Sequence, residues 1–271
     1  MATTRKTTTT GKTTTGKTST TRTAGTASKT RAARTTRAVG QGTTAQPTVP
    51  AIIRTMIICV PDEVPTEALT SSRQLDKHFD VKGTTARRFW AVPLSPWRRR
   101  HMIDLQAGRP AYCAGGPKRL LDLNGLRHAA AVGAGVRHQQ WTHVVRGTPP
   151  ATPWTGFAQR HLAEASTYPM EEAKADFEAQ PRVQAMLMHN AAVYGAARLD
   201  TYELEMLQAG CVAYRHFCAL QAICGDAMLT GDGHRIAPDS QKFADRIRYL
   251  DQANSHLDTL DASTRLLAVT L

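Results

Sequence analysis

The sequence predicts an all-α protein: helix-turn-helix DNA-binding modules, then a C-terminal helical hairpin as oligomerisation core, with a disordered basic N-terminal tail. Three observations lead there. Apolar residues recur at helical spacing through residues 199–271. A twenty-residue helix-turn-helix frame fits twice within residues 71–146. Residues 1–50 carry nothing that could bury a core.

The C-terminal stretch organises the rest. Asp200 can cap a helix and Glu203 can reach back to it. Leu204, Leu207, Cys211, Tyr214 and Cys218 then follow a 3-4-3-4 spacing that keeps one stripe on one helical face. That pattern runs to about residue 224. After Met228-Leu229 comes a polar turn, Thr230-Gly231-Asp232-Gly233-His234, whose glycines permit positive φ. Pro238 suits the first turn of a second helix, with Phe243, Ile247, Leu250 and Leu257 on its inner face. Asp261 would cap a last short helix. Two helices joined by a glycine turn make a hairpin whose apolar faces are too small to stand alone. Such a hairpin needs either the rest of its chain or copies of itself.

This order of elements resembles the C-terminal half of tailed-phage terminase small subunits, over residues 199–271. The residues that carry the likeness are the run from Met228 through Thr230-Gly231 to Ala237-Pro238-Asp239 and the closing Leu260-Asp261-Ala262-Ser263-Thr264-Arg265. Asp261-Ala262 stands where the pattern prefers threonine-proline. The resemblance implies a homo-oligomeric ring built from the C-terminal helices, with the DNA readers outside it. It also implies recognition of the packaging initiation site in a concatemeric genome, and recruitment and regulation of the terminase large subunit, which holds the ATPase and nuclease.

Charge is distributed unevenly. The formal net charge is +12, but residues 1–50 contribute +9 with no acid and residues 71–146 contribute +10. Residues 51–70, 147–181 and 182–271 sum to −2, −3 and −2. The asymmetry points to a polyanion, double-stranded DNA, held by one half of the chain. Within the tail, residues 11–18 satisfy the phosphate-loop formula G-x-x-x-x-G-K-[ST]. That chemistry requires a strand before the loop and a helix after it, and both flanks are threonine-rich tail. The better reading is a solvated arm that brushes DNA electrostatically.

The first helix-turn-helix window is residues 72–91. Leu75, Phe79, Val81, Ala86 and Phe89 occupy the five apolar positions of the frame, while Asp76 and Asp80 stand where a small residue and glycine are preferred. Asp80 is a mild fault, because Asp tolerates the left-handed conformation. The second helix would present Lys82, Thr84, Thr85, Arg87 and Arg88 to phosphates and guanine edges. The second window is residues 127–146, with Ala130, Ala131, Ala134, Gly135, Val136, Trp141 and Val144 in frame. It would present Arg137, His138, Gln139, Gln140, Thr142, His143 and Arg146, before Gly147-Thr148-Pro149-Pro150 stops the helix. Trp97-Arg98-Arg99-Arg100-His101 and Lys118-Arg119 lie between the windows, either as wing-like phosphate contacts or as a solvated basic linker.

The organisation that follows is a tail (1–50), a basic DNA-binding region (51–150), a linker with an acidic surface helix (151–181) and a helical oligomerisation core (182–271). Met186 and Met188, in a helix of that core, are packing residues. The five cysteines form no CxxC pair and no signal peptide precedes them, so a reducing host cytoplasm is expected. No apolar run reaches the ~20 residues that span a bilayer. Residues 52–60 are apolar but short. The ten histidines are scattered, without a metal-ligand spacing, and no nucleophile elbow or isolated carboxylate pair is present. The chain is therefore expected to be non-enzymatic, with no cofactor or metal. Its alternatives are a helix-turn-helix transcriptional regulator or excisionase-like protein, a nucleoid-type architectural protein whose arm does most of the binding, and, more distantly, a nucleotide-binding enzyme.

Overall fold

A computed structural model of the protein describes residues 48–271. The basic tail and its phosphate-loop window at residues 11–18 lie outside them. The fold is a mixture of helix and sheet, which corrects the all-α expectation. In chain order the elements begin with β1 (Thr55–Val60), α1 (Ser72–Phe79), β2 (Thr84–Thr85), β3 (Phe89–Ala91) and α2 (Pro96–Arg99). Next come β4 (Ala111–Cys113), β5 (Gly115–Pro117), α3 (Leu123–Val144), α4 (Trp154–Ala163), α5 (Met170–Glu178) and α6 (Pro181–Ala192). Last are α7 (Leu204–Gln208), α8 (Cys211–Cys224), β6 (Ala227–Leu229), β7 (Arg235–Ile236), α9 (Phe243–Thr259) and β8 (Arg265–Thr270).

One mixed sheet runs in the order β2-β8-β1-β6-β7, with β5 also paired to β8. β8 is antiparallel to β1, from Thr55 opposite Thr270 to Val60 opposite Arg265, and β6 is parallel to β1. Both central strands are apolar at nearly every position because both faces of the sheet are covered. Ile57, Cys59, Leu266 and Ala268 join a large core with α3, α8 and α9. Met56, Ile58, Val60, Leu267 and Val269 join a smaller one with Leu69, Leu75, Val81 and Ile103. The segments 51–60 and 225–271 are thus neighbours in one sheet.

The hairpin predicted at the C-terminus is reshaped by that sheet. Gly210, at φ 100°, breaks the first helix into α7 and α8. The glycine turn at 230–234 connects β6 to β7 rather than helix to helix, with Gly233 at φ 82° and Thr230 Oγ1 donating to the His234 carbonyl. Asp261 does not start a helix. Its carbonyl closes a turn on Thr264 N at 3.1 Å, and the chain then extends as β8. An extended Leu266–Val269 run buries side chains on both faces of the sheet, whereas a terminal helix would bury only one stripe. The stripe assigned to oligomerisation is covered by its own chain. Leu204, Leu207, Tyr214 and Leu250 are buried, and Cys218, Phe243 and Ile247 pack against the same core. Cys211 is exposed.

Neither helix-turn-helix window forms two helices. In residues 72–91, α1 ends at Asp80, which adopts φ 52°, ψ 42°, the left-handed conformation that Asp accepts. The chain then becomes extended, because β2 and Ala86 hydrogen-bond to the edge of β8 and Phe89 enters the large core. In residues 127–146, α3 is one uninterrupted helix through Gly135. A glycine in a helix interior costs about 1 kcal/mol. Packing of the long α3 against α8, through residues such as Ala134 and Trp141, outweighs it. α3 does stop before Gly147, which takes φ 79°.

Candidate nucleic-acid interface

The cations of the basic region divide into two kinds. Arg88 enters the core side of the sheet, where its Nε and Nη2 donate to the carbonyls of Ala222 and Gln221 at 3.0 and 2.5 Å. These carbonyls belong to the C-terminal end of α8, where the helix dipole is negative; Gln221 also accepts from Gly225 N at 3.0 Å, and Arg88 supplies the partner of Ala222. Burial pulls the pKa of Arg88 below its usual range, opposed chiefly by the nearby carboxylate of Asp226. Lys118 does the same for α9, its Nζ donating to the carbonyls of Leu257 and Leu260. Arg265 donates to Pro61 and Val64 carbonyls at 2.6 and 2.7 Å. Arg127 bonds the side chain of Asn254.

Several predicted DNA contacts are likewise engaged with the chain itself. Arg137 donates to Tyr214 Oη at 3.3 Å, and that hydroxyl donates to Glu203 at 2.7 Å. The hydrogen bond to Tyr214 raises the pKa of Arg137. His138 Nε2 lies 3.1 Å from the Leu207 carbonyl; a carbonyl only accepts, so this nitrogen carries the proton. Gln140 donates to the Ala197 carbonyl, and Thr142 Oγ1 to the carbonyl of His138. Arg87 is exposed but forms an ion pair with Asp104 at 2.7 Å. Thr85 is half-buried in β2.

Lys82, Thr84, Gln139, Thr142, His143 and Arg146 remain exposed. Lys82 and Thr84 lie at the β2 edge of the sheet, where Thr84 pairs with Thr270. Gln139, His143 and Arg146 are brought together with Gln140 and His138 along an open hollow of ≈ 970 Å³, closed on its far side by His189, Cys211 and Arg215. Its lining contains no carboxylate.

The strongest surface was only half visible in the sequence. β3 and β4 form a two-stranded ribbon, with Trp90 opposite Tyr112 and their rings edge-to-face at 6.4 Å. The excursion between these strands carries α2. Trp97 there is 75% exposed, and Arg98, Arg99, Arg100, His101 and Arg109 are exposed around the same excursion. None of these five has a side-chain hydrogen bond or ion pair among the described residues. Asp104 is the one acid in residues 86–113, and Arg87 neutralises it. Arginines interleaved with Trp90, Trp97 and Tyr112 were the signal that could have singled out this stretch, beyond the choice between wing and linker.

Among the described residues no group of three His, Cys, Asp or Glu side chains is placed to hold a metal. No helix there is long and apolar enough to cross a membrane. No family model, curated protein or solved structure matches the chain.

Proposed function

We propose that this is a non-enzymatic DNA-binding protein, which grips the phosphate backbone with its basic arm and with the arginine-rich excursion of residues 89–113. The observation that carries the reading is the sorting of cations. Arg88, Lys118, Arg127, Arg137 and Arg265 are committed to internal partners, and Arg98, Arg99, Arg100 and Arg109 are left facing solvent. Unpaired guanidiniums on a surface with one neutralised acid are suited to phosphate oxygens. The exposed Lys82, Gln139, His143 and Arg146 extend the set of available donors. Recognition of a packaging site and engagement of a terminase large subunit form the narrower version of the proposal; the resemblance of residues 199–271 is its support.

Duplex affinity measured across a salt series tests the reading. Replacing Arg98, Arg99 and Arg100 together by alanine is expected to reduce the slope of log K against log[salt] by about 3, at ~0.9 per phosphate contact. An unchanged slope would overturn the assignment of phosphate contacts to the excursion. For the narrower version, a fragment carrying a packaging initiation site should compete better than a random fragment of equal length, and purified large subunit should bind the protein. Failure of both would leave a general DNA binder.

A further inference from the structure

We infer that the excursion of residues 89–113 is a stacking platform for an unpaired base, so that the protein binds single-stranded nucleic acid more tightly through Trp97 than it binds intact duplex. The inference rests on the nucleic-acid reading above and narrows the substrate. Trp97 leaves three quarters of its surface in water and has no aromatic partner among the described residues. An indole buries a large apolar area when covered, so an exposed one at the centre of a basic surface marks a contact site.

The platform is held rigidly. Val92 N donates to the Leu120 carbonyl at 3.0 Å, Leu94 packs on the large core, and Pro96 fixes the first turn of α2. On the return side, Met102 and Ile103 are buried, and Ile103 N donates to the Gly115 carbonyl at 2.9 Å. Trp97 is therefore presented between two anchors, which reduces the ordering cost of binding. Arg98, Arg99 and Arg100 follow it directly, where they can meet the phosphates that flank a stacked base.

Duplex bases are stacked on one another and offer no free face to an indole; an unpaired base does. A lipid surface fits less well. Insertion needs neighbouring aliphatic side chains, but Leu94 packs on the core and the residues next to Trp97 in the chain are Ser95, Pro96 and Arg98.

The test uses the full chain, with a labelled oligothymidylate and a duplex of the same length at matched salt. The oligothymidylate is expected to bind more tightly than the duplex. Trp97→Ala should weaken oligothymidylate binding about tenfold and duplex binding less than twofold, and Trp97→Phe should recover most of the loss. Equal effects on the two ligands, or none, would overturn the stacking inference and leave the DNA-binding reading intact. Absence of binding to either ligand at low salt would overturn both. Trp97-dependent binding to phosphatidylserine vesicles without oligothymidylate binding would overturn it in favour of a membrane surface.

Discussion

Arg88 and Arg98 flank the same strand of the β3–β4 ribbon and do opposite work. Arg88 is turned inward, where its guanidinium closes the carbonyl end of α8; Arg98 stands in solvent with no partner among the described residues. A buried guanidinium persists only when its donors are satisfied, and helix-end carbonyls satisfy them with the dipole in their favour. The +10 of residues 71–146 therefore overstates the charge that a polyanion meets. Part of it stabilises the fold, and of the part that reaches outward four arginines, Arg98, Arg99, Arg100 and Arg109, sit together in one excursion.

The sharpest way to break this contrast is Arg88→Met. Two charge-assisted hydrogen bonds are lost and the Ala222 carbonyl is orphaned, while Gln221 keeps its bond from Gly225 N, so a loss of about 3 kcal/mol is expected, read as a drop in Tm of roughly 10 °C. Duplex affinity of the remaining folded protein should hold. An unchanged Tm would remove the helix-end role. Lys118→Met should lower Tm by about half as much, since a flexible and partly exposed ammonium serves α9. The triple alanine replacement of Arg98, Arg99 and Arg100 is the complement. It should change stability by no more than ~0.5 kcal/mol while duplex affinity falls, because these side chains hold nothing in the fold. If its Tm fell as far as that of Arg88→Met, the two groups of cations would not be distinct.

The thiols offer the mildest probe, since they report burial without altering the chain. Cys211 is exposed and should react first with a thiol reagent at neutral pH. Burial pushes Cys59, Cys113 and Cys224 up to about 12, so almost no thiolate is present and they should react only on unfolding. Cys218, pushed up to about 11 by burial, should fall between. Early reaction of Cys59 or Cys113 would mean that the sheet opens readily.

Periodic segments were the legible ones. The helical spacing around Tyr214, Ile247 and Met186 corresponds to α8, α9 and α6, and Gly147 does lie just past the end of α3. Asp200 does cap: its Oδ1 accepts from Tyr202 N at 2.8 Å, though the turn it starts is 3-10 and Glu203 bonds Tyr214 instead of returning to it. The strands were illegible for a definite reason. Residues 56–60 and 266–269 are apolar at every position, a pattern shared by a buried strand and a buried piece of helix. The helix-turn-helix frame misled because its five apolar positions record burial rather than conformation. Leu75, Val81 and Phe89 are indeed buried, but in a helix, an extended linker and a strand.

Composition and local pattern alone established the uneven charge, the apolar periodicity of α6, α8 and α9 and the left-handed tolerance at Asp80. These depend on residues near one another in the chain. The pairing of β1 with β8, across nearly the whole described chain, was decided in three dimensions. So was the choice between a cation that caps a helix and one that faces water. Both are set by partners distant in sequence, and hydrogen-bond satisfaction on burial selects among them only once the chain has closed on itself.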